Sequence, residues 1–196
     1  MHTLIVDNYD SYTYNLFQLI ADVSGERPTV VRNDELSWAQ LEQLEFDNVV
    51  ISPGPGTPAA PGDLGVCADV LLKCRKPVLG VCLGHQGIGW TAGAEIVRAP
   101  EPMHGRISRI THDDELFAGI PQGFAAVRYH SLALATPLPA TLRAIAWSDD
   151  GVLMGVRRTD KPQWGVQYHP EAVCSEYGEQ LVANFMTLTG DLLAVA

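Results

Sequence analysis

The stretch KPVLGVCLGHQGIG, Lys76 to Gly89, changes character at its centre. Pro77 to Val81 is a continuous apolar run between Pro and Gly, the pattern of a short buried strand. Leu83 to Trp90 then reads as the start of a helix, although Gly84, Gly87 and Gly89 weaken it. Cys82 therefore falls where strand turns into helix. Gly80-Val81-Cys82-Leu83-Gly84 has the form of a nucleophile elbow, G-x-S-x-G, with a thiol in place of the hydroxyl. Glycines two before and two after the central residue allow a sharp turn and close approach of neighbouring backbone. A helix N-terminus also favours a thiolate and leaves N–H groups free for an oxyanion.

Working outward, strands and helices alternate through the first half. Strands are expected at Thr3 to Asp7, Thr29 to Asn33 and Asn48 to Ser52. Helices are expected from Ser11 (with Leu16, Ile20 and Val23 on one face), over Ser37 to Leu44 and over Leu64 to Lys73. Such alternation implies right-handed βαβ units and a parallel sheet. After Gly93 the rhythm changes. AEIVRA, RISRI, FAAVRY, LRAIAW and GVLMGVRR are strand-like runs with no room for helices between them, and SDDG, Ser148 to Gly151, is a hairpin signal. This half is expected to be antiparallel or mixed, laid against the parallel half. WGVQYHPE gives a last strand. Glu176 to Leu188 gives a closing helix with Leu181, Phe185 and Leu188 inward. The fold class is thus α/β: a central, mostly parallel sheet flanked by helices, with an additional antiparallel or mixed sheet.

The chain has 196 residues, 46% of them hydrophobic, enough to bury a full core, and 1–196 reads as a single domain. Its 13 basic and 23 acidic residues give a formal charge of −10, which argues against nucleic acid and anionic membranes as partners. No apolar run approaches the roughly 20 residues that span a bilayer. The opening TLIVD is strand-like rather than a secretion signal, so a cytoplasmic location and reduced thiols at Cys67, Cys74, Cys82 and Cys174 are expected. Cys67 and Cys74 read as packing residues. Cys82 and His85 form one C-x-x-H with no second pair, so no metal site is expected.

Ligands of open α/β sheets bind outside the carboxyl ends of the strands. DNYDS, SPGPG, Cys82 and YHPE all fall at such ends. A cysteine nucleophile needs a base, and the base an orienting acceptor. His169 and Glu171, in HPE, point the same way on an extended segment, with Pro170 stiffening it. Glu171 would hold the imidazole while His169 moves the proton. His85 is a rival base, read preferentially as a supporting hydrogen-bonding residue, and His130 is a weaker one. SPGPGTP lacks the Lys-Ser/Thr of a P-loop. Gly54 and Leu83 are candidates for two N–H groups aimed at a developing oxyanion. The bland alternative leaves HPE a surface loop and SPGPG a rigid turn.

GVCLGHQ, a distal HPE and an upstream SPGPGTP together resemble the class I, triad-type glutamine amidotransferases, over nearly the whole chain. DNYDSYTYNL, RND, MHGRIS and RYHSL are similar to the amidotransferase components of anthranilate and aminodeoxychorismate synthases. The resemblance implies a flavodoxin-like core and Cys82, His169 and Glu171 as the catalytic triad. It implies an oxyanion hole at Gly54 and Leu83, and L-glutamine held by Gly54, Pro55, Gly56, Gln86, Ser131 and Leu132. It further implies ammonia delivery to a chorismate-binding synthase subunit. It assigns no cofactor to this chain, with magnesium only in the partner. Tyr168 and Ala172 stand where phenylalanine and serine are usual. SEYGEQLVANF and WSDDGVLMGVRR look more like the aminodeoxychorismate branch. Two other classes remain: a stand-alone thiol hydrolase or peptidase, and a non-catalytic flavodoxin-like binding module.

Overall fold

The computed structural model describes residues 1–60 and 62–195. Four short strands open the sheet: β1 (Thr3–Asp7), β2 (Thr29–Arg32), β3 (Asn48–Ile51) and β4 (Val78–Val81). They are linked by helices α1 (Thr13–Ser24), α2 (Trp38–Leu41) and α3 (Val66–Lys73), and α4 (Leu83–Thr91) follows β4 directly. Next come β5 (Ile96–Arg98), β6 (Arg106–His112), β7 (Phe124–Arg128), β8 (Leu132–Leu134), β9 (Leu142–Ser148), β10 (Leu153–Arg158) and β11 (Gln163–Val166). A long helix, α5 (Gly178–Ala194), closes the chain.

Nine strands form one sheet in the order β2-β1-β3-β4-β11-β10-β9-β6-β7. The pairings from β2 to β11 are parallel. Those from β11 to β7 are antiparallel. The antiparallel half therefore continues the parallel sheet edge to edge instead of lying against it. The cause is β11, which pairs with β4 on one side and with β10 on the other. A short connection after β10 keeps the hairpin in plane, and β9, β6 and β7 extend it. The additional sheet is the small β5–β8 pair.

Alternation within the strands divides the core. Ile5, Val50, Leu79 and Val81 face one layer, where Leu16 and Ile20 of α1 meet Leu181 and Phe185 of α5. Leu4, Val6, Val49, Ile51 and Val78 face the other, against Leu41, Val70, Leu71 and Ile88 of α2, α3 and α4. Leu188 is only partly buried against the first layer.

Helix ends move where side chains capture backbone. Asp7 Oδ1 accepts from Tyr9 N at 2.9 Å and from Thr13 Oγ1 at 2.7 Å, and Asp10 Oδ1 accepts from Tyr12 N at 2.8 Å. Residues 8–12 are thereby held as a loop, so α1 begins at Thr13 and not at Ser11. Glu176 binds the edge of β7, its N–H donating to Ala125 O at 2.8 Å and its Oε2 accepting from Ala125 N at 2.7 Å. This delays α5 to Gly178 and covers an otherwise open sheet edge. None of the described residues forms a helix long and apolar enough to cross a membrane.

Candidate active site

Cys82 caps α4 with φ +51° and ψ −99°, a conformation that side chains rarely adopt. The turn is fixed by Cys82 N donating to Val166 O at 2.9 Å and Gln86 N donating to Cys82 O at 3.0 Å. A Cβ on Gly80 would lie 2.5 Å from the Gly84 carbonyl carbon, and one on Gly84 would lie 2.6 Å from Ile51 O. The flanking glycines therefore exist for close approach, and the strained turn aims the Cys82 side chain off the end of the sheet.

Strand β11 ends at Val166, earlier than expected, and the chain crosses to β7, where His169 N donates to Val127 O at 3.0 Å. Ser175 fastens this segment: its Oγ donates to His169 O at 2.5 Å and accepts from Val127 N at 3.0 Å. His169 Nδ1 and Glu171 Oε1 are 2.6 Å apart, with side chains 3% and 0% exposed. Nε2, the other ring nitrogen, has no partner at normal hydrogen-bond geometry among the described residues. Burial opposes a charge on His169, but Cys82 and Glu171 beside it outweigh that cost and push its pKa up to about 10. Tyr12 and Tyr129 close over the ring, with centroids 5.8 and 5.3 Å from it and their hydroxyls 3.2 Å apart.

A cleft of about 180 Å³ opens beside Cys82, lined by Gly54, Pro55, Gly56, Leu83, Gln86, Tyr129, His130, Ser131 and Leu132. The substrate-holding and oxyanion residues expected from sequence thus share one cavity, with His169 and Glu171 buried nearby. A larger cavity of about 1000 Å³ lies at the amino ends of β4 and β11. It contains none of these residues, and its Arg143, Arg157 and Arg158 are held in ion pairs with Asp113, Asp114, Glu115 and Asp160.

The loop carrying Gly54 rests on buried polar groups. Asn8 N donates to Ser52 Oγ at 2.8 Å, Asn8 Nδ2 to Ser52 O at 2.9 Å, and Asn33 Nδ2 to Asn8 Oδ1 at 2.9 Å. A Cβ on Gly54 would sit 2.5 Å from that of Asn8. Gln86 lines the cleft, yet its Nε2 is committed to Leu132 O at 3.1 Å and Gln167 Oε1 at 3.0 Å.

The rival histidines are engaged elsewhere. The His85 ring packs against Gly165, and neither nitrogen reaches a partner at normal hydrogen-bond geometry. Complete burial pushes its pKa down to about 3, so it is neutral. Its contact is with the Gly165 backbone and not with a residue of the cleft. His130 Nδ1 donates to Leu132 O at 2.8 Å, and its Nε2 accepts from Arg128 Nε at 3.0 Å. Burial lowers its pKa to about 4. Tyr12, Tyr129 and Gln167 were missed from sequence. For Gln167 a signal existed, since it lies only two residues before His169, on the segment that leaves β11.

Comparisons with known proteins agree with this arrangement. The chain is 55% identical over 190 residues to an aminodeoxychorismate synthase of Streptomyces griseus, covering 96% of this chain and 26% of that protein. It spans about a quarter of the length of the Streptomyces relatives it matches. It is 43% identical over 199 residues to anthranilate synthase component 2 of Leptospira biflexa, covering 95% of this chain and 99% of that one. A Thermoplasma acidophilum structure, solved as that of a candidate GMP synthase component, superposes with a TM-score of 0.88 at 23% identity, over 100% of this chain and 96% of that one, and shares the fold. The model of the class-I glutamine amidotransferases matches residues 4–188, and the chain belongs to that family.

Proposed function

We propose that this chain hydrolyses L-glutamine and supplies the ammonia to a chorismate-using synthase. The observation that carries the reading is the buried 2.6 Å contact of His169 with Glu171, beside a cysteine held on a strained elbow. Cys82 is the nucleophile. His169, protonated at neutral pH, stands beside Cys82, whose thiolate is the attacking form. The sulfur adds to the carboxamide carbon of glutamine, and the carbonyl oxygen becomes an oxyanion facing the N–H groups of Gly54 and Leu83. His169 gives its proton to the departing amine, and ammonia leaves. A γ-glutamyl thioester remains on Cys82. Water, losing a proton to His169, adds to the thioester, and glutamate leaves as the Cys82 thiolate is expelled beside the protonated imidazole. Pro55, Gly56, Gln86, Ser131 and Leu132 shape the cavity that holds the amino-acid end. The chemistry needs reduced thiols, in keeping with a cytoplasmic setting.

Ammonia released into water is protonated and ceases to be a nucleophile, so a docked synthase that takes it directly is the fitting partner. The 55% identity to an aminodeoxychorismate synthase favours that branch. Anthranilate synthase is the second reading, favoured by relatives that this chain matches end to end at 43% identity.

The test is to mix the chain with each synthase, supply glutamine and chorismate, and identify the product. 4-Amino-4-deoxychorismate is expected. Anthranilate alone would move the chain to the other branch. Cys82→Ser should abolish glutamine-dependent product, while high ammonium still supports it. Full glutamine-dependent activity in that variant would sink the assignment of Cys82.

A further inference from the structure

We propose that Gln167 is a further catalytic residue, whose side-chain N–H donates to the Cys82 sulfur and holds it as a thiolate in line with the cleft. The proposal rests on the reading of Cys82 as nucleophile. Gln167 is fully buried, and its Nε2 lies 3.6 Å from Cys82 Sγ. Nothing in that distance alone says which end of the amide faces the sulfur, because the oxygen and nitrogen of an amide have nearly the same shape. The surrounding groups decide it.

The Leu132 carbonyl is an acceptor only. It receives His130 Nδ1 at 2.8 Å and Gln86 Nε2 at 3.1 Å. Gln86 must therefore present its NH₂ end on that side. The same NH₂ group lies 3.0 Å from the Gln167 amide, which can answer only with its oxygen. The Gln167 NH₂ is left pointing at Cys82. A backbone carbonyl thus sets the polarity of a chain of two amides that ends on the nucleophile. His130 is itself oriented by Arg128, whose guanidinium is fully buried and paired with Asp150 at 2.9 Å.

The consequence is electrostatic. A thiolate accepts a hydrogen bond from an amide N–H more strongly than a thiol does, and hydrogen bonds to a charged partner are the stronger kind. His169 and Gln167 lie two residues apart on the segment that leaves β11, so one short stretch of chain brings both beside Cys82. His169 gives up its proton during the reaction. Gln167 does not, and it keeps a donor on the sulfur while the imidazole is neutral and the thioester awaits water, and again when the thiolate is expelled.

The experiment measures the rate at which Cys82 is alkylated by iodoacetamide across pH, read by mass spectrometry of the Cys82 peptide. The proteins compared are wild type, Gln167→Met and Gln167→Asn. The first removes the donor at nearly constant volume. The second withdraws it by one methylene, so one of the two retains the fold if the other does not. Loss of one charge-assisted hydrogen bond should move the pH midpoint of alkylation up by roughly one unit, about tenfold in thiolate population. The kcat for glutamine should fall more than KM changes. Gln86→Met, which removes the pin but not the donor, should shift the midpoint in the same direction by less. An unchanged midpoint in both Gln167 variants would overturn the proposal and leave Cys82 as nucleophile. Failure of the underlying reading has a different sign: Cys82→Ser would keep its glutaminase activity.

Discussion

The His169 Nδ1 and Glu171 Oε1 atoms are 2.6 Å apart in a place that solvent does not reach. An imidazole so held has its tautomer and ring plane fixed, with Nε2 left for chemistry. His169→Ala should reduce glutamine hydrolysis by roughly 10²–10⁴-fold, the usual cost of a positioned acid–base group. Glu171→Gln should cost less, because an amide oxygen still accepts from Nδ1. His85→Ala should lower stability and leave the thioester-forming step largely intact. Single-turnover acylation measured on the three variants checks the order, and equal damage from His85→Ala would identify the wrong histidine.

The raised pKa of His169 makes a second claim. Its value of about 10 lies above the ordinary 6.5, so the folded protein binds this proton more tightly than the unfolded chain. The stabilisation is complete below about 6.5 and is lost as pH rises through about 10. NMR titration of the imidazole should show His169 charged at pH 8. Cys82→Ala removes one of the two groups that favour the charge, and the midpoint should then fall. A wild-type midpoint near 6.5 would contradict a His169 that rests protonated.

His85 and His130 act in the opposite direction. Burial lowers them to about 3 and about 4, so the unfolded chain binds these protons first. Their contribution is complete above about 6.5 and is lost as pH falls toward those values, at about 1.4 kcal/mol per pH unit for each imidazole. Urea unfolding at pH 7, 6 and 5 should show a steep loss of stability. His85→Met should flatten that slope even if it lowers stability at pH 7. An unchanged slope would mean that His85 takes up its proton in the folded state without penalty.

The parallel half of the fold was legible because each of its strands is a continuous apolar run bounded by turn residues, and Cys82 was legible because its flanking glycines have no other use. The His169–Glu171 contact could be read from HPE, although the expected extended segment is a turn: Ala172 N donates to His169 O at 3.3 Å, and the two side chains meet across it. The join between halves could not be read. Whether β10 and β9 lie beside β11 or across it depends on pairing between residues far apart, such as Gly165 with Val156 and Gly80. The β8 strand, Leu132–Leu134, was not read because LAL, unlike the AEIVRA run that holds the equally short β5, has no β-branched residue. Tyr12 and Tyr129 were missed for a similar reason. They meet over His169 from positions 117 residues apart, and nothing local marks either one.

Glycines of the site divide by what their missing side chains would strike, which gives the last prediction. A Cβ on Gly80 would be driven into backbone, 2.5 Å from the Gly84 carbonyl, inside the close packing of β4 against α4. Neither partner can give way without moving the helix, so Gly80→Ala should cost at least the roughly 1–3 kcal/mol of an overpacked core. A Cβ on Gly54 would meet Asn8 Cβ at 2.5 Å, Asn8 O at 2.7 Å and Leu83 Cδ2 at 2.9 Å. Only the last of these is a side-chain tip; Asn8 is buried and held by hydrogen bonds to Ser52, so it is the loop carrying Gly54 that must move. The shift carries the Gly54 N–H with it. Gly54→Ala should therefore lower stability as well, and the folded protein should lose about 10²–10³-fold in kcat, the usual cost of one oxyanion donor. Thermal unfolding and steady-state kinetics on both variants check the pair. A Gly54→Ala protein with wild-type kcat would remove Gly54 from the oxyanion hole.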